Sequence, residues 1–260
     1  MRIEDVVFTN VGGLKTACIT RKELVELMAQ RVTDFRDPSS DYFEKPMTIY
    51  STNGHSISIA NSDRGMRNIL NQADILHADG QSVVFFSKHF SKHQIPERSA
   101  TTDTIHDFPK MVHGTYKHYL LGATETVIKK ASNKMGEQYS NFAVSGYRDG
   151  YFDETQVTEV IKEINQSGAD VLWVGLGKPK EQEFIHHYKS SLKVPVIISC
   201  GGCYNFITGD YSRAPEWMQK YGLEWLHRAA TQPRKLLWRY LTTNPHSIYC
   251  AAKHHYFSKG

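Results

Sequence analysis

Short apolar runs recur along the chain, and each stops at glycine or a small polar residue. Met47–Ser51 ends at Thr52-Asn53-Gly54, Ile75–Ala78 at Asp79-Gly80, and His118–Leu121 at Gly122. Phe142–Ser145 runs on to Asp149-Gly150-Tyr151, Val171–Val174 stops at Gly175-Leu176-Gly177, and Val194–Ser199 precedes Gly201-Gly202. Runs of this length and composition predict buried strands. The segments between them predict helices: Val83–Phe90, Glu125–Met135 with Thr124 as its cap, and one that begins after Pro179. Strands alternating with helices predict a parallel sheet with right-handed crossovers. In such a sheet ligands bind at the carboxyl ends of the strands, where helix N-termini can hold phosphate. The need of α/β loops for glycine explains the glycines at these ends, but less well the Asn53 and Asp79 among them.

Both termini depart from this rhythm. Residues 1–46 read as an N-terminal elaboration: strands Val6–Phe8 and Lys15–Thr20 around Gly12-Gly13, a helix Arg21–Thr33, then a loop holding two prolines. Residues 204–260 read as a separate, helical and basic appendage, so the expected division is 1–203 and 204–260. Within it Trp217, Met218, Tyr221, Trp225 and Leu226 alternate with Lys220, His227 and Arg228, and Arg234–Leu241 repeats the basic amphipathic theme. That pattern suits a membrane surface or a partner, and equally a helix pair packed on the sheet.

Composition narrows the class. Hydrophobic residues make up 40% and charged residues 22%, ordinary for a globular protein. No run approaches the ~18 apolar residues of a membrane-spanning helix, and the first residues lack a signal-peptide pattern, so a cytoplasmic location is expected. The net charge of +4 is too mild to argue for nucleic acid. Cys200-Gly-Gly-Cys203 has CxxC spacing, but no second pair or histidine cluster completes a zinc site, and buried thiols are the simpler reading.

The candidate chemistry follows by elimination. Gly175-Leu-Gly-Lys-Pro-Lys180 lacks the third glycine of a dinucleotide fingerprint and carries Pro179 inside it; no GxxxxGK[ST] occurs. Glycosyl transfer from a nucleotide sugar suits the pattern better. It needs a carboxylate to take the acceptor hydroxyl's proton and donors or cations for the departing diphosphate. No Asp-x-Asp occurs, which argues for helix N-termini with Arg or Lys in place of metal. Asp79 is the best-placed base, unless it is only a helix N-cap. Arg98 in Pro96-Glu-Arg-Ser is either a phosphate ligand or half of a surface ion pair.

Together these residues resemble the WecG/TagA/CpsF family of bacterial glycosyltransferases (glycosyltransferase family 26). The matching pieces are Ser51-Thr-Asn53, Ala78–Val84, Pro96-Glu-Arg98, Leu120-Leu-Gly122, Asp149-Gly-Tyr-Phe152, Val174–Glu183 and Gly201-Gly202 through Phe206. Arg213–Met218, Gly222–Leu226 and Pro233-Arg-Lys complete them. The resemblance implies a doubly wound, mostly parallel, Rossmann-like α/β sheet with helices on both faces and a helical basic appendage. It implies an inverting transfer of a hexose-type sugar, such as N-acetylmannosamine, its uronic acid or glucose, from a UDP-sugar to an undecaprenyl-diphosphate-linked sugar. That chemistry serves cell-surface polysaccharide or teichoic-acid-like glycan assembly, with no metal and no cofactor.

Carried onto this chain, the family's base maps to Asp79, with Thr52 and Asn53 as its polar neighbours. Gly122, Gly150, Tyr151, Gly175, Gly177, Lys180, Gln182, Gly202 and Asn205 map to the nucleotide-sugar side, Gln182 near the diphosphate and Tyr151 near the base. Arg98, Arg213, Arg228 and Arg234 map to acceptor and diphosphate binding; the appendage arginines, with backbone N–H groups at Gly175–Gly177 and Gln182, are expected to stabilise the nucleoside diphosphate as it leaves. Asn205 stands where the family commonly has aspartate; it can donate as well as accept, which bears on the choice of nucleotide. Gln81 and Ser82 also depart from the pattern, as does Thr101. Peripheral association with the inner face of the membrane is implied, and a homo-oligomer in solution is allowed. Two other classes stay open: a nucleotide-sugar-binding protein without turnover, and a membrane or partner scaffold that uses the basic tail.

Overall fold

The computed structural model describes residues 1–257. In chain order a hairpin of β1 (Phe8–Val11) and β2 (Leu14–Ala17) leads to α1 (Arg21–Arg36) and β3 (Met47–Thr52). Next come α2 (Gly54–Ser62), α3 (Arg64–Asn71), β4 (Ile75–Ala78), α4 (Gln81–Phe90) and α5 (Thr101–Met111). The alternation continues through β5 (Tyr116–Gly122), α6 (Glu125–Gln138), β6 (Phe142–Arg148), α7 (Val157–Gln166), β7 (Val171–Gly175), α8 (Lys180–Tyr188) and β8 (Val196–Ser199). The chain ends in α9 (Cys203–Thr208), α10 (Glu216–Lys220), α11 (Glu224–Thr231) and α12 (Pro233–Phe257). Strands β3 to β8 form a six-stranded parallel sheet in the order β4-β3-β8-β7-β5-β6, flanked by helices in a Rossmann-like, doubly wound arrangement, as expected.

By packing, the chain divides into two compact units. Unit 1 holds Met1–Ile3, Lys22–Tyr50 and Thr101–Tyr211; unit 2 holds Glu4–Arg21, Ser51–Ala100 and Ser212–Gly260. Residues 204–211 therefore belong with the sheet: Tyr204, fully buried in α9, donates from its hydroxyl to the carbonyl of Trp173 at 2.7 Å. Residues from Ser212 onward share a unit with 51–100, because α12 lies along α2 and α4.

Unit 1 is centred on strands buried on both faces. Every residue of β7 and β8 is buried, which the run of Val, Ile, Leu and Trp demands. In the register Leu121 pairs with Val174 and Gly122 with Gly175. A Cβ at Gly122, where φ is +136°, would lie 2.3 Å from the Gly175 carbonyl oxygen, so the end of β5 meets the end of β7 only with glycine at position 122. His118 is wholly buried, stacked on Phe142 at 3.6 Å between ring centres, and accepts from the Trp173 indole at 3.1 Å. That enclosure pushes its pKa down to about 3.

Unit 2 is held by its helices. The hairpin abuts a two-residue turn at Gly12-Gly13, with Val11 opposite Leu14, so its strands lie closer to the turn than the apolar pattern suggested. The inner face of α12 meets its neighbours through polar contacts: Ser58 with His246 at 2.9 Å, Asn61 with His254 at 2.9 Å, and the Phe90 carbonyl with His255 at 2.8 Å.

Candidate active site

The sequence-predicted residues sort cleanly between the two units. Thr52, Asn53, Asp79, Arg98, Arg213, Arg228 and Arg234 lie in unit 2, and the nucleotide-sugar set lies in unit 1.

In unit 2 the end of β3 and the end of β4 are clasped together. The Thr52 hydroxyl donates to the His77 carbonyl at 2.8 Å, and the Thr52 carbonyl accepts from the Asp79 and Gly80 N–H groups at 2.9 and 3.0 Å. Thr52 is fully buried and its hydroxyl is spent on this clasp, so it fixes the Asp79 backbone from beneath. Asn53 caps α2: its Oδ1 accepts from the Ser56 N–H at 3.1 Å, and Ser56 Oγ accepts in return from the Asn53 N–H at 3.3 Å. With the oxygen so committed, Nδ2 turns to Asp79 and donates to its Oδ2 at 3.4 Å. Asp79 is half-buried just ahead of α4. The N-cap position of that helix is Gly80, one residue after Asp79.

The next segment is tied to the same loop. The Ser99 N–H donates to the Ala78 carbonyl at 2.8 Å, and His77 Nδ1 lies 2.7 Å from the Ser99 carbonyl. That places Arg98 beside the end of β4. Arg98 is no surface ion pair: Nη1 meets Glu224 Oε2 at 2.8 Å, with side chains 13% and 18% exposed. Of the appendage arginines, Arg213 donates to Gln219 at 2.8 Å, Arg228 is half-buried, and Arg234 is exposed.

In unit 1 a residue outside the expected set holds the loops. Glu181 is 1% exposed; its Oε2 accepts from the Gly177 and Gly201 N–H groups at 3.1 and 3.0 Å, and its Oε1 accepts from Gln182 Nε2 at 3.1 Å. Burial raises the Glu181 carboxyl pKa, while Lys178 and the three hydrogen bonds pull the other way. The glycine N–H expected to meet a diphosphate is thus taken by Glu181, and Gln182, itself 1% exposed, donates to Glu181 with its Oε1 left unpartnered. Lys180 and Gly202 are exposed, Gly150 and Asn205 half-buried, and Tyr151 is 79% exposed, an aromatic face open to a base. Cys200 and Cys203 are buried free thiols, and burial pushes the Cys200 pKa up.

Sequence reasoning missed Glu181 and Glu224. Glu181 sits four residues after Gly177, the one available hint, but its burial is a tertiary fact. Glu224 has a plainer signal: no acidic residue follows it in the chain.

Residues 9–259 match the family model described as "Glycosyl transferase WecG/TagA/CpsF family". The chain is similar to the N-acetylglucosaminyldiphosphoundecaprenol N-acetyl-beta-D-mannosaminyltransferase of Bacillus subtilis (strain 168), 31% identical over 77% of this chain and 78% of that protein. Proteins of the same name from Bacillus spizizenii and Staphylococcus aureus (strain NCTC 8325 / PS 47) are 29% and 28% identical, over 72% and 78% of this chain and 71% and 79% of theirs.

Proposed function

Because the chain belongs to the WecG/TagA/CpsF family and is a glycosyltransferase, we propose that it transfers N-acetylmannosamine or a related hexose from a UDP-sugar to an undecaprenyl-diphosphate-linked N-acetylglucosamine. The relatives' names support the acceptor and suggest the sugar. The observation that carries the reading is the Asp79 carboxylate, gripped by an asparagine whose other atom is locked into a helix cap.

Asp79 takes the proton of the acceptor hydroxyl as that oxygen attacks the anomeric carbon. The bond from that carbon to the diphosphate oxygen breaks, UDP leaves with the electron pair, and the configuration inverts. Thr52 and Asn53 position the base. In unit 1 Tyr151 offers a face to the nucleobase, and the turns at Gly122, Gly150, Gly175 and Gly202 bring backbone close to the nucleotide, with Lys180 at its phosphates and Asn205 beside it. Glu181 holds the Gly177 and Gly201 turns in shape, with Gln182 as its partner. In unit 2 Arg98, Arg213, Arg228 and Arg234 meet the acceptor's phosphates, which places the enzyme on the inner membrane face. No described helix is long and apolar enough to cross a membrane; the contact in this reading is peripheral.

The test is nucleotide release across a panel of UDP- and GDP-sugars with a lipid-diphosphate-linked N-acetylglucosamine acceptor. The expected result is acceptor-dependent UDP release with UDP-N-acetylmannosamine. Release of no nucleotide from any donor sinks the reading, and release of GDP alone moves the donor assignment at Asn205.

A further inference from the structure

We infer that Glu224 is a positioning residue for the acceptor's diphosphate, an acid supplied by the otherwise basic C-terminal segment to orient Arg98; the inference rests on the proposed function above. The Arg98 guanidinium presents two edges to a ligand: its outer end at Nη1, and the side edge shared by Nε and Nη2. Glu224 holds the first, with Oε2 2.8 Å from Nη1. On the second, Nε is enclosed and has no hydrogen-bond partner. An enclosed N–H donor left unmatched is unfavourable unless something completes it. A phosphate does so well, because two of its oxygens match the side edge in a bidentate, charge-assisted contact.

The backbone fixes both members of the pair against one loop. Arg98 is tied to the end of β4 through the Ser99 N–H on the Ala78 carbonyl at 2.8 Å. Glu224 follows a turn at Gly222, where φ is +72° and an added Cβ would lie 3.1 Å from Gln81 Cγ. Gln81 is the first residue of α4, directly after Asp79-Gly80. The turn that delivers Glu224 and the segment that delivers Arg98 therefore both seat against the ends of the loop carrying the base. A carboxylate on Nη1 fixes the guanidinium plane and holds the unmatched Nε edge in one orientation toward the diphosphate; without it the long side chain swings among its rotamers.

The full chain, with the nucleotide site saturated by UDP, is titrated with inorganic pyrophosphate as wild type, Glu224→Ala, Glu224→Gln, Arg98→Ala and the Arg98→Ala/Glu224→Ala double variant. Glu224→Ala is expected to weaken pyrophosphate binding roughly tenfold, as loss of a positioned charge pair does, and to raise the acceptor KM by the same factor. Glu224→Gln, which keeps an acceptor oxygen, falls between. kcat at saturating acceptor and UDP affinity stay within about twofold of wild type, and Glu224→Ala adds nothing once Arg98 is alanine. Pyrophosphate binding that tightens in Glu224→Ala overturns the inference, since Glu224 would then compete with the ligand. So does a loss that persists in the Arg98→Ala background, a parallel fall in UDP affinity, or a wild type that does not bind pyrophosphate. A wild type that binds pyrophosphate but transfers no sugar defeats the proposed function instead, and the binding cycle still decides the role of Glu224.

Discussion

The amide of Asn53 has one oxygen and one nitrogen to place, and the start of α2 claims the oxygen. The nitrogen therefore faces Asp79, and a donor at 3.4 Å suits a carboxylate better than a carboxylic acid. Replacing Asp79 by Asn removes the proton acceptor while keeping the shape, so kcat should fall by about 10²–10⁴. UDP affinity, measured by calorimetry, should stay near wild type; undiminished turnover would take Asp79 out of the mechanism. Asn53→Asp is the sharper probe because aspartate caps α2 as well as asparagine does. It sets two carboxyl groups side by side, so one keeps its proton to higher pH. The base works only when deprotonated, and the acid limb of the kcat/KM profile should move to higher pH. An unmoved limb would mean that Asn53 does not meet the working form of Asp79. Asn53→Ala confounds this effect with a lost cap of about 1 kcal/mol.

At the scale of elements, what was legible followed burial. β4 lies where its apolar run predicted, and the other sheet strands lie within a few residues, because a strand buried on both faces leaves a continuous β-branched signature that glycine ends. Helix α12 was read only as Arg234–Leu241, yet it runs through Pro245 to Phe257. Pro245 removes the hydrogen bond to the carbonyl of Leu241, but both residues are exposed, so water can take that carbonyl and the helix continues. The inner face of α12 was equally unreadable, since it docks through histidines rather than an apolar stripe. Burial lowers the His254 pKa, with Arg67 and Lys253 adding to the effect. The unfolded chain therefore binds the proton more readily than the docked helix does. The His254 contribution to docking is complete above the ordinary value of 6.5 and is lost as pH falls toward the lowered folded value. Hydrogen exchange of α12, corrected for intrinsic rates, should show protection falling between pH 7 and roughly 5.5. His254→Gln, which can still donate to Asn61 but does not titrate, should flatten that dependence. An unchanged pH response in this variant would assign the effect to another group.

At the scale of the molecule, charge and apolar exposure coincide at the C-terminal end. No acidic residue lies in 225–260, while Arg228, Arg234, Lys235, Arg239, Lys253 and Lys259 do. The side chains of Trp238, Leu241, Ile248, Tyr249 and Tyr256 on α12 are 53–76% exposed, and their spacing follows one outer face of the helix. The sequence showed this amphipathic theme but left it balanced between a packed helix pair and a membrane surface. In the structure one face of α12 packs through histidines, and the other carries aromatic and aliphatic groups in the open. A basic helix with an exposed aromatic face binds anionic bilayers by apolar insertion and by attraction worth about 1 kcal/mol per cation near the surface. Co-sedimentation with vesicles should therefore show binding to phosphatidylglycerol-rich membranes that weakens steeply with salt, and little binding to phosphatidylcholine. Arg234→Gln should weaken binding about fivefold and reduce its salt dependence, the value of one surface cation. Trp238→Ser should weaken it at every salt concentration and leave the salt slope unchanged, because an apolar contact is not screened. Equal binding to neutral and anionic vesicles would remove the electrostatic half of this surface. A Trp238→Ser variant with wild-type affinity would remove the apolar half.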